Sequence, residues 1–383
     1  MNRKVLIIAG EPSGDLHGSL LVKALAIRDS SMRFTGIGGE RMRACGVRLI
    51  HDISQLSIVG FGDVIPKLAL FRKILKEIDR LLAQEVFDLV ILIDYPGLNL
   101  KIARIAKGRR VRVVYYITPQ IWAWGLNRVH LIKKYVDLAL VIFRFEEGLF
   151  RKEGIPVHFV GHPLLDVMRQ HTALPRDSIL EQCHVTNAHP IIALLPGSRN
   201  SEVKSHLPIM LKAAQILKEK FRDAAFIVIK SDYVDGTLYE AYISDGPAHH
   251  AVTYLGGRNY DVLGVADFAV VCSGTATLEA ALSRVPMVVV YKTSLINWLI
   301  ARRMIRIPRI ALVNVIAERH IVPELLQENA TGRKIADVAY AILSQPKRHD
   351  RMQSELGVLT NILGIPGASD RAANHICDLL NPS

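Results

Sequence analysis

An aspartate, Asp94, is the first candidate for acid–base chemistry in the chain. It follows the apolar run Phe87–Ile93 and precedes Pro96. A carboxylate at the carboxyl end of a strand in a doubly wound sheet lies where ligands bind, and it can accept the proton of an attacking sugar hydroxyl. An Asx turn or helix cap before proline explains the same residue. Spacing alone favours the cap, and both interpretations stay open.

A glycine-rich loop, Gly10–Gly18, follows the apolar run Val5–Ala9 and leads into a helical pattern at Ser19–Ile27. Glycine lets a backbone approach a ligand closely, and a helix N-terminus offers N–H groups to an anion. The glycine spacing differs from the dinucleotide fingerprint, which argues against nicotinamide. Glu11 and Asp15 are candidate ligand-facing carboxylates, although a plain strand-to-helix turn explains the loop equally well.

Another loop, Pro196–Glu202, follows the apolar run Ile191–Leu195. Ser198 offers a hydroxyl, and Arg199 offers a guanidinium that can contact phosphate through two N–H groups. This combination predicts an anion site. The alternative is that Arg199 pairs with a surface carboxylate.

A third loop couples a predicted strand end to a helix start made of small residues. Ser273, Gly274 and Thr275 can present hydroxyl and N–H groups to a diphosphate. Glu279 lies one helical turn after Thr275 and can accept hydrogen bonds from ribose hydroxyls. Similar sequences also occur as ordinary helix caps.

Short apolar runs alternate with longer amphipathic stretches, which predicts βαβ units and parallel sheets. The first set of predicted strands is Val5–Ala9, Phe87–Ile93, Val111–Ile117, Leu138–Ile142 and His158–Val160. The second set is Ile191–Leu195, Ala225–Ile229, Phe268–Val271, Met287–Tyr291 and Ile310–Val313. We therefore predict a domain over 1–165, a linker over 166–189 with a short helix at 177–182, a second domain over 190–345, and a helical tail over 346–383.

Composition limits the class of partner. The 383 residues are 50% hydrophobic and 22% charged, with a net charge of +12, so we expect a folded protein that binds nucleic acid, anionic lipid or a phosphorylated substrate. The four scattered cysteines fit neither a zinc site nor a disulfide framework. No apolar run reaches the roughly 20 residues that cross a bilayer.

Several motifs, in this order, resemble the lipid A disaccharide synthase family of Gram-negative bacteria along nearly the whole chain. They are Gly10–Asp15, Ile93–Asn99, Pro119–Trp124, Phe159–Pro163, Leu195–Arg199, Ser273–Glu279 and Val322–Gln327. One such motif is weak evidence, whereas their ordered combination is strong.

The resemblance implies an α/β GT-B fold with two Rossmann-like domains and a cleft between them. It also implies an inverting glycosyl transfer that uses no cofactor and no catalytic metal. The donor would be UDP-2,3-diacylglucosamine, and the acceptor would be 2,3-diacylglucosamine 1-phosphate.

In that reaction Asp94 would be the general base, with Glu11 and Asp15 on the acceptor side. The residues implied for the UDP side are Ser198, Arg199, Ser273, Gly274, Thr275, Glu279 and Asn314. The resemblance further implies a cytoplasmic enzyme on the inner face of the inner membrane, with an anionic lipid surface as partner, and it is compatible with a homodimer. The chain departs from the family pattern at Glu318, where a glycine is usual, and just after Trp124, where an arginine is common.

Two basic, apolar stretches are candidates for membrane contact. Leu68, Phe71, Ile74, Leu75 and Ile78 recur at helical spacing among basic residues, and Leu295–Arg306 combines a tryptophan with aliphatic residues and arginines. Ordinarily such stripes are the core faces of helices. The family resemblance favours lipid and predicts salt-sensitive binding to anionic vesicles.

Two other functions remain as alternatives. A UDP-sugar 2-epimerase uses a related two-domain fold and needs no lipid acceptor. Nucleic-acid binding is suggested by charge alone, and because no RNA- or DNA-binding signature accompanies that charge, we expect no nucleic-acid partner.

Overall fold

The computed structural model describes residues 2–53, 64–124, 127–185, 188–243, 252–294, 298 and 309–381. The chain forms two compact units. The first unit contains residues 1–169 together with 363–383, and the second contains residues 170–362.

The first unit is built on a seven-stranded parallel sheet in the order β3-β2-β1-β4-β5-β6-β7. Its strands are β1 Lys4–Ala9, β2 Arg33–Gly38, β3 Arg48–Asp52, β4 Leu89–Ile93, β5 Arg112–Tyr116, β6 Leu138–Val141 and β7 Val157–Phe159. The central strands are buried along their length, which explains why they read as continuous apolar runs. The sequence prediction missed β2 and β3, because glycine interrupts the first and the second is a half-buried strand with charged ends.

Helices connect these strands. They are α1 Pro12–Arg28, α2 Glu40–Ala44, α3 Val64–Gln84, α4 Pro96–Gly108, α5 Ile121–Trp124, α6 Asn127–Tyr135, α7 Arg144–Lys152 and α8 Leu164–Gln170. The last helix of the chain, numbered α17 below, also belongs to this unit.

The second unit is built on a six-stranded parallel sheet in the order β10-β9-β8-β11-β12-β13. Its strands are β8 Ile191–Leu195, β9 Ala225–Lys230, β10 Val252–Gly256, β11 Phe268–Cys272, β12 Met287–Tyr291 and β13 Glu324–Leu326. Its helices are α9 Arg176–Gln182, α10 Asn200–Lys220, α11 Gly236–Ile243, α12 Asn259–Val265, α13 Ala276–Leu282, α14 Leu312–Ile316, α15 Gly332–Leu343 and α16 Pro346–Ile362.

One predicted strand, Ile310–Val313, is wrong. The backbone enters α14 at Leu312, and the amides of Ile310 and Ala311 donate to the Glu324 carboxylate at 3.0 and 3.2 Å instead of to a neighbouring strand. A side chain thus satisfies the donors that a strand ladder would use. The prediction also missed β10 and β13, which are edge strands with half-exposed residues.

The units differ from the predicted domain boundaries at the tail. α16 belongs to the second unit, whereas α17, Ala368–Leu380, belongs to the first. Asp166 explains the assignment of α17, because its carboxylate accepts from the backbone amides of Gly367, Ala368 and Ser369 at the start of that helix. Residues 166–169 are therefore part of the first unit.

The basic stretch in α3 is divided between core and surface. Ile74 and Ile78 are fully buried, whereas Phe71 and Leu75 are half-buried and Arg72, Lys73 and Lys76 are exposed. The side chain of Leu68 and, apart from Trp298, the segment 295–306 lie outside the described residues. Within the described part of the chain, no helix is both long and apolar enough to cross a membrane.

Candidate active site

The strand order of the first sheet reverses between β1 and β4, which are hydrogen-bonded neighbours. Ligands of doubly wound sheets bind at the carboxyl ends of the strands where the order reverses. The loop that follows β1 begins at Gly10, and the turn that follows β4 contains Asp94. The fold therefore brings two of the predicted loops to the expected binding edge.

Asp94 and Tyr95 form a strained turn after β4. Their φ angles are 45° and 46°, a left-handed conformation that costs non-glycine residues roughly 1–3 kcal/mol each. Asn99 donates from Nδ2 to the Asp94 carbonyl at 2.7 Å, and the Tyr115 hydroxyl donates to the same oxygen at 2.7 Å. These contacts hold the turn, and the Asp94 side chain remains half-exposed at the sheet edge.

The turn that contains Asp94 and Tyr95 requires a glycine at position 10. A Cβ at Gly10 would lie 2.2 Å from Cδ1 of Tyr95, so the tyrosine ring occupies the space that any side chain would need. The ring of Phe71 packs edge-on against Tyr95, with centroids 6.1 Å apart. The glycine of the first loop therefore makes room for the turn that carries Asp94.

Asp15 accepts hydrogen bonds from the backbone of its own unit. Its side chain is fully buried, and its carboxylate accepts from the backbone amides of Gly39, Arg41 and Met42 at 2.7 to 3.2 Å, at the start of α2. An ionised carboxylate is favourable at such a helix start. Glu11 is at the N-cap position of α1 and is half-buried.

Three titratable side chains near this edge were missed by the sequence prediction. Burial raises the pKa of Glu146 to about 7, and the Asp94 charge also raises it, against hydrogen bonds from Trp122 and the backbone that lower it. Burial lowers the pKa of His17 to about 4 and that of His162 to about 3. The two imidazoles contact each other edge to face, with centroids 6.1 Å apart, and both are neutral at physiological pH.

The second sheet reverses its order between β8 and β11, and the predicted anion loops follow these two strands. Gly197, with φ of 123°, bends the loop after β8 against Glu202. The Glu202 carboxylate accepts from the Ser198 amide at 2.9 Å and from Arg199 Nη1 at 2.7 Å. Arg199 therefore pairs with a carboxylate, as the alternative interpretation had it, while its side chain stays 38% exposed and can still reach a ligand.

The loop after β11 contains Ser273, Gly274 and Thr275, all of them half-exposed. The Ser273 hydroxyl donates to the carbonyl of Ile310 at 3.3 Å. Glu279, on α13, accepts from the Tyr260 hydroxyl at 3.1 Å. The loops after β8 and β11 thus share one edge of the sheet.

Asn314 is fully buried, and its side chain is saturated by contacts within the chain. Its Nδ2 donates to the carbonyl of Val322 and to Glu324 at 2.8 and 2.7 Å, and its Oδ1 accepts from the amides of Ile321 and Val322 at 2.8 and 3.0 Å. The side chain is therefore part of the scaffold. Glu318, which replaces a usual glycine, is exposed and adopts a φ of 54°, a conformation that favours glycine.

Three residues that the sequence prediction left without a role hold the loops of the second sheet. Glu324 binds the Ile310 and Ala311 amides, as described above. The side-chain amide of Gln327 accepts from the backbone amide of Thr293 at 2.8 Å and donates to the carbonyl of the same residue at 3.2 Å. His206, buried and with its pKa lowered mainly by burial, contacts the Pro196 carbonyl at 3.1 Å through Nδ1 and the Lys292 amide at 2.9 Å through Nε2. For Glu324 and Gln327, the family motif Val322–Gln327 was the sequence signal that could have indicated a role.

Nothing in the described ranges suggests a metal centre, since they contain no group of three or more His, Cys, Asp or Glu side chains placed to hold an ion. The candidate residues of the first unit are a carboxylate and aromatic groups, and those of the second unit are an arginine, hydroxyls and a carboxylate.

Two parallel α/β sheets, each with its loops at a reversal of strand order, form a GT-B-like fold. A crystal structure of a putative UDP-N-acetylglucosamine 2-epimerase from Listeria monocytogenes has the same fold, with a TM-score of 0.71 and 14% identity over 100% of this chain and 98% of that one. The family model for lipid-A-disaccharide synthetase matches residues 5–362. The chain belongs to this family and is a glycosyltransferase.

Curated relatives agree with this assignment. A lipid-A-disaccharide synthase from Syntrophus aciditrophicus is 43% identical over 100% of both chains. One from Geobacter sulfurreducens is 37% identical over 99% of this chain and 98% of its own length.

Proposed function

We propose that this chain transfers 2,3-diacylglucosamine from its UDP derivative to the 6-hydroxyl of 2,3-diacylglucosamine 1-phosphate. The acceptor oxygen forms a bond to the anomeric carbon, the bond from that carbon to the diphosphate breaks, and UDP leaves with inversion. The family supports the reaction, and the chemistry of the two units supports a division of labour.

The Asp94 turn is the observation that carries the proposal. Asp94 is the general base, which accepts the proton of the 6-hydroxyl as that oxygen attacks. Non-glycine residues persist in left-handed conformations only where surrounding contacts hold them, and such strain clusters at active sites. Glu11 shapes the acceptor side, and Asp15 supports it by holding the start of α2.

The second unit binds UDP. Arg199 and the hydroxyls of Ser198, Ser273 and Thr275 bind the diphosphate and stabilise the charge on the leaving group. Gly274 allows the backbone to approach that group, and Glu279 accepts from the ribose. Asn314 contributes by holding the loop behind Ser273.

The enzyme acts on lipid substrates at the inner face of the inner membrane. The exposed basic residues of α3 support attachment to an anionic lipid surface.

The decisive experiment incubates the purified protein with the two acylated substrates in detergent and weighs the product. We expect a tetra-acyl disaccharide 1-phosphate together with UDP. The likeness in fold to epimerases makes soluble UDP-N-acetylglucosamine the matched second substrate. Formation of its 2-epimer without any disaccharide would replace the proposal with the epimerase.

Replacing the proposed base tests the mechanism directly. Asp94→Asn removes the proton acceptor and keeps the size of the side chain, so we expect turnover to fall by roughly 10²-fold or more while UDP binding is unchanged. Asp79→Asn, which breaks an exposed ion pair with Arg109 in the same unit, is the matched control and keeps its activity. Full turnover in Asp94→Asn would exclude Asp94 as the base.

A further inference from the structure

Glu146, on α7, is a buried carboxylate that the proposed reaction does not use. Its side chain is 1% exposed. One oxygen accepts from the Trp122 indole Nε1 at 3.0 Å, and the other accepts from the backbone amide of Phe143 at 3.2 Å. Burying a carboxylate is costly unless its partners are well placed, and here the partner is an aromatic side chain at the edge of the sheet.

Trp122 is held on two sides. Besides its bond to Glu146, its ring packs edge-on against Phe145, with centroids 5.5 Å apart, and Phe145 stacks on Phe143 at 5.8 Å. Trp122 is half-buried, and the side chains of Phe145 and Leu149 are 37% and 36% exposed. We call Trp122, Phe145 and Leu149 the apolar strip. Phe145 and Leu149 are one turn apart on α7, so they lie on the same helix face.

The apolar strip belongs to the same sheet edge as Asp94. Asp94 follows β4, the segment with Trp122 follows β5, and α7 follows β6, and these three strands are consecutive neighbours in the sheet. Burial is the main cause of the raised pKa of the Glu146 carboxyl group, and the charge of Asp94 adds a small further increase. Glu146 therefore lies within electrostatic reach of the proposed base.

The chemistry of the apolar strip favours an acyl chain over a sugar ring. A sugar presents hydroxyls that need hydrogen-bonding partners. The only N–H group in the three side chains, the Trp122 indole, is already bonded to Glu146. Aromatic and aliphatic surface without a polar partner instead gains free energy by covering hydrocarbon.

We propose that Glu146 is a positioning residue, which fixes the Trp122 indole so that the apolar strip receives an acyl chain of the acceptor beside Asp94. This inference rests on the proposed function, because it assigns one part of the acceptor to one part of the site. The bond from Glu146 holds one orientation of the indole, and the acceptor then binds without having to order that ring.

The test compares steady-state constants for the two substrates in purified full-length variants. In Glu146→Ala we expect KM for the acylated acceptor to rise roughly tenfold, with KM for the UDP donor unchanged. Glu146→Gln keeps an acceptor oxygen for the indole and should restore most of the loss. Trp122→Phe removes the other partner of the bond, leaves α7 unaltered, and should raise the same constant. Glu147→Ala, which removes the neighbouring carboxylate with its bonds to Arg151 and to the backbone amide of Phe159, is the matched control and keeps both constants.

A second readout separates acyl recognition from general damage. With acceptors of decreasing acyl length, the difference in acceptor KM between Trp122→Phe and the wild type should shrink toward none. A wild type that forms no disaccharide overturns the proposed function and the inference with it. If the wild type is active and both Glu146→Ala and Trp122→Phe keep its KM for the acceptor, the inference is overturned and the proposed function stands. Equal increases in both Michaelis constants, or a difference that does not depend on acyl length, also overturn it.

Discussion

Asp94 and Asp15 carry the same functional group, and the residues around each one decide what it can do. Three backbone amides saturate Asp15 in the interior, whereas Asp94 is half-exposed in a left-handed turn. The oxygens of Asp15 are already occupied by backbone N–H groups at the start of α2, so this carboxylate serves the scaffold. Similar positions after or near a strand end therefore give one structural and one candidate catalytic aspartate.

A single hydroxyl tests how far the Asp94 turn depends on its support. Tyr115→Phe removes the hydrogen bond to the Asp94 carbonyl, which is worth about 1 kcal/mol. We expect kcat to fall by up to about tenfold because the carboxylate loses its orientation. Tyr116→Phe removes a hydroxyl from the opposite face of β5, near Ser369, and should leave kcat unchanged. Equal effects of the two variants on kcat would contradict the role given to Tyr115.

At the scale of elements, the sequence predicted the buried strands and the loops that follow them, because a central parallel strand reads as one apolar run. Edge strands such as β10 and β13 lack that signal. The role of Asn314 was also beyond prediction, since its partners lie beyond α14, Val322 in the loop before β13 and Glu324 at the start of that strand. The family resemblance indicated that the residue matters, and only the fold shows whether it faces a ligand or the scaffold.

Helix α3 shows the same ambiguity in its amphipathic pattern. Its apolar face is partly core, as Ile74 and Ile78 are fully buried, so periodicity by itself could not separate packing from lipid contact. Its basic face is exposed. The lipid-binding hypothesis therefore depends on charge and is tested best by changing charge.

Lys73→Glu together with Lys76→Glu should weaken binding to anionic vesicles, because each cation near such a surface contributes about 1 kcal/mol. Both residues are exposed, so the fold should be retained. Lys347→Glu with Arg348→Glu makes the same change in net charge on exposed positions of α16 and should have a smaller effect. Vesicle sedimentation at low and high salt provides the measurement. Equal losses from the two pairs would mean that net charge, and no particular face, drives binding.

At the scale of the whole molecule, the two ends of the chain belong to one unit. α17 packs against α1, and Arg28 pairs with Asp370 at 3.0 Å. The sequence showed α17 as a helix but gave no sign of its partner, because contacts between residues more than 300 positions apart leave no local pattern. The first unit therefore joins helices that lie more than 300 positions apart in the sequence.

Replacing Asp166 tests whether the attachment of α17 stabilises the first unit. Asp166→Ala leaves three amides at the start of α17 without their acceptor, so we expect a loss of about 2 kcal/mol in the stability of the first unit. Asp370→Ala, on the same helix, breaks an ion pair whose aspartate is 63% exposed and should cost less than about 1 kcal/mol. Comparing the hydrogen-exchange rates of the β1 amides with those of the β8 amides shows which unit loses stability. α17 packs on α1 in the first unit, whereas β8 belongs to the second. In Asp166→Ala we expect faster exchange of the β1 amides and unchanged exchange of the β8 amides. Equal exchange of the β1 amides in the two variants would show that the Asp166 cap does not stabilise the first unit.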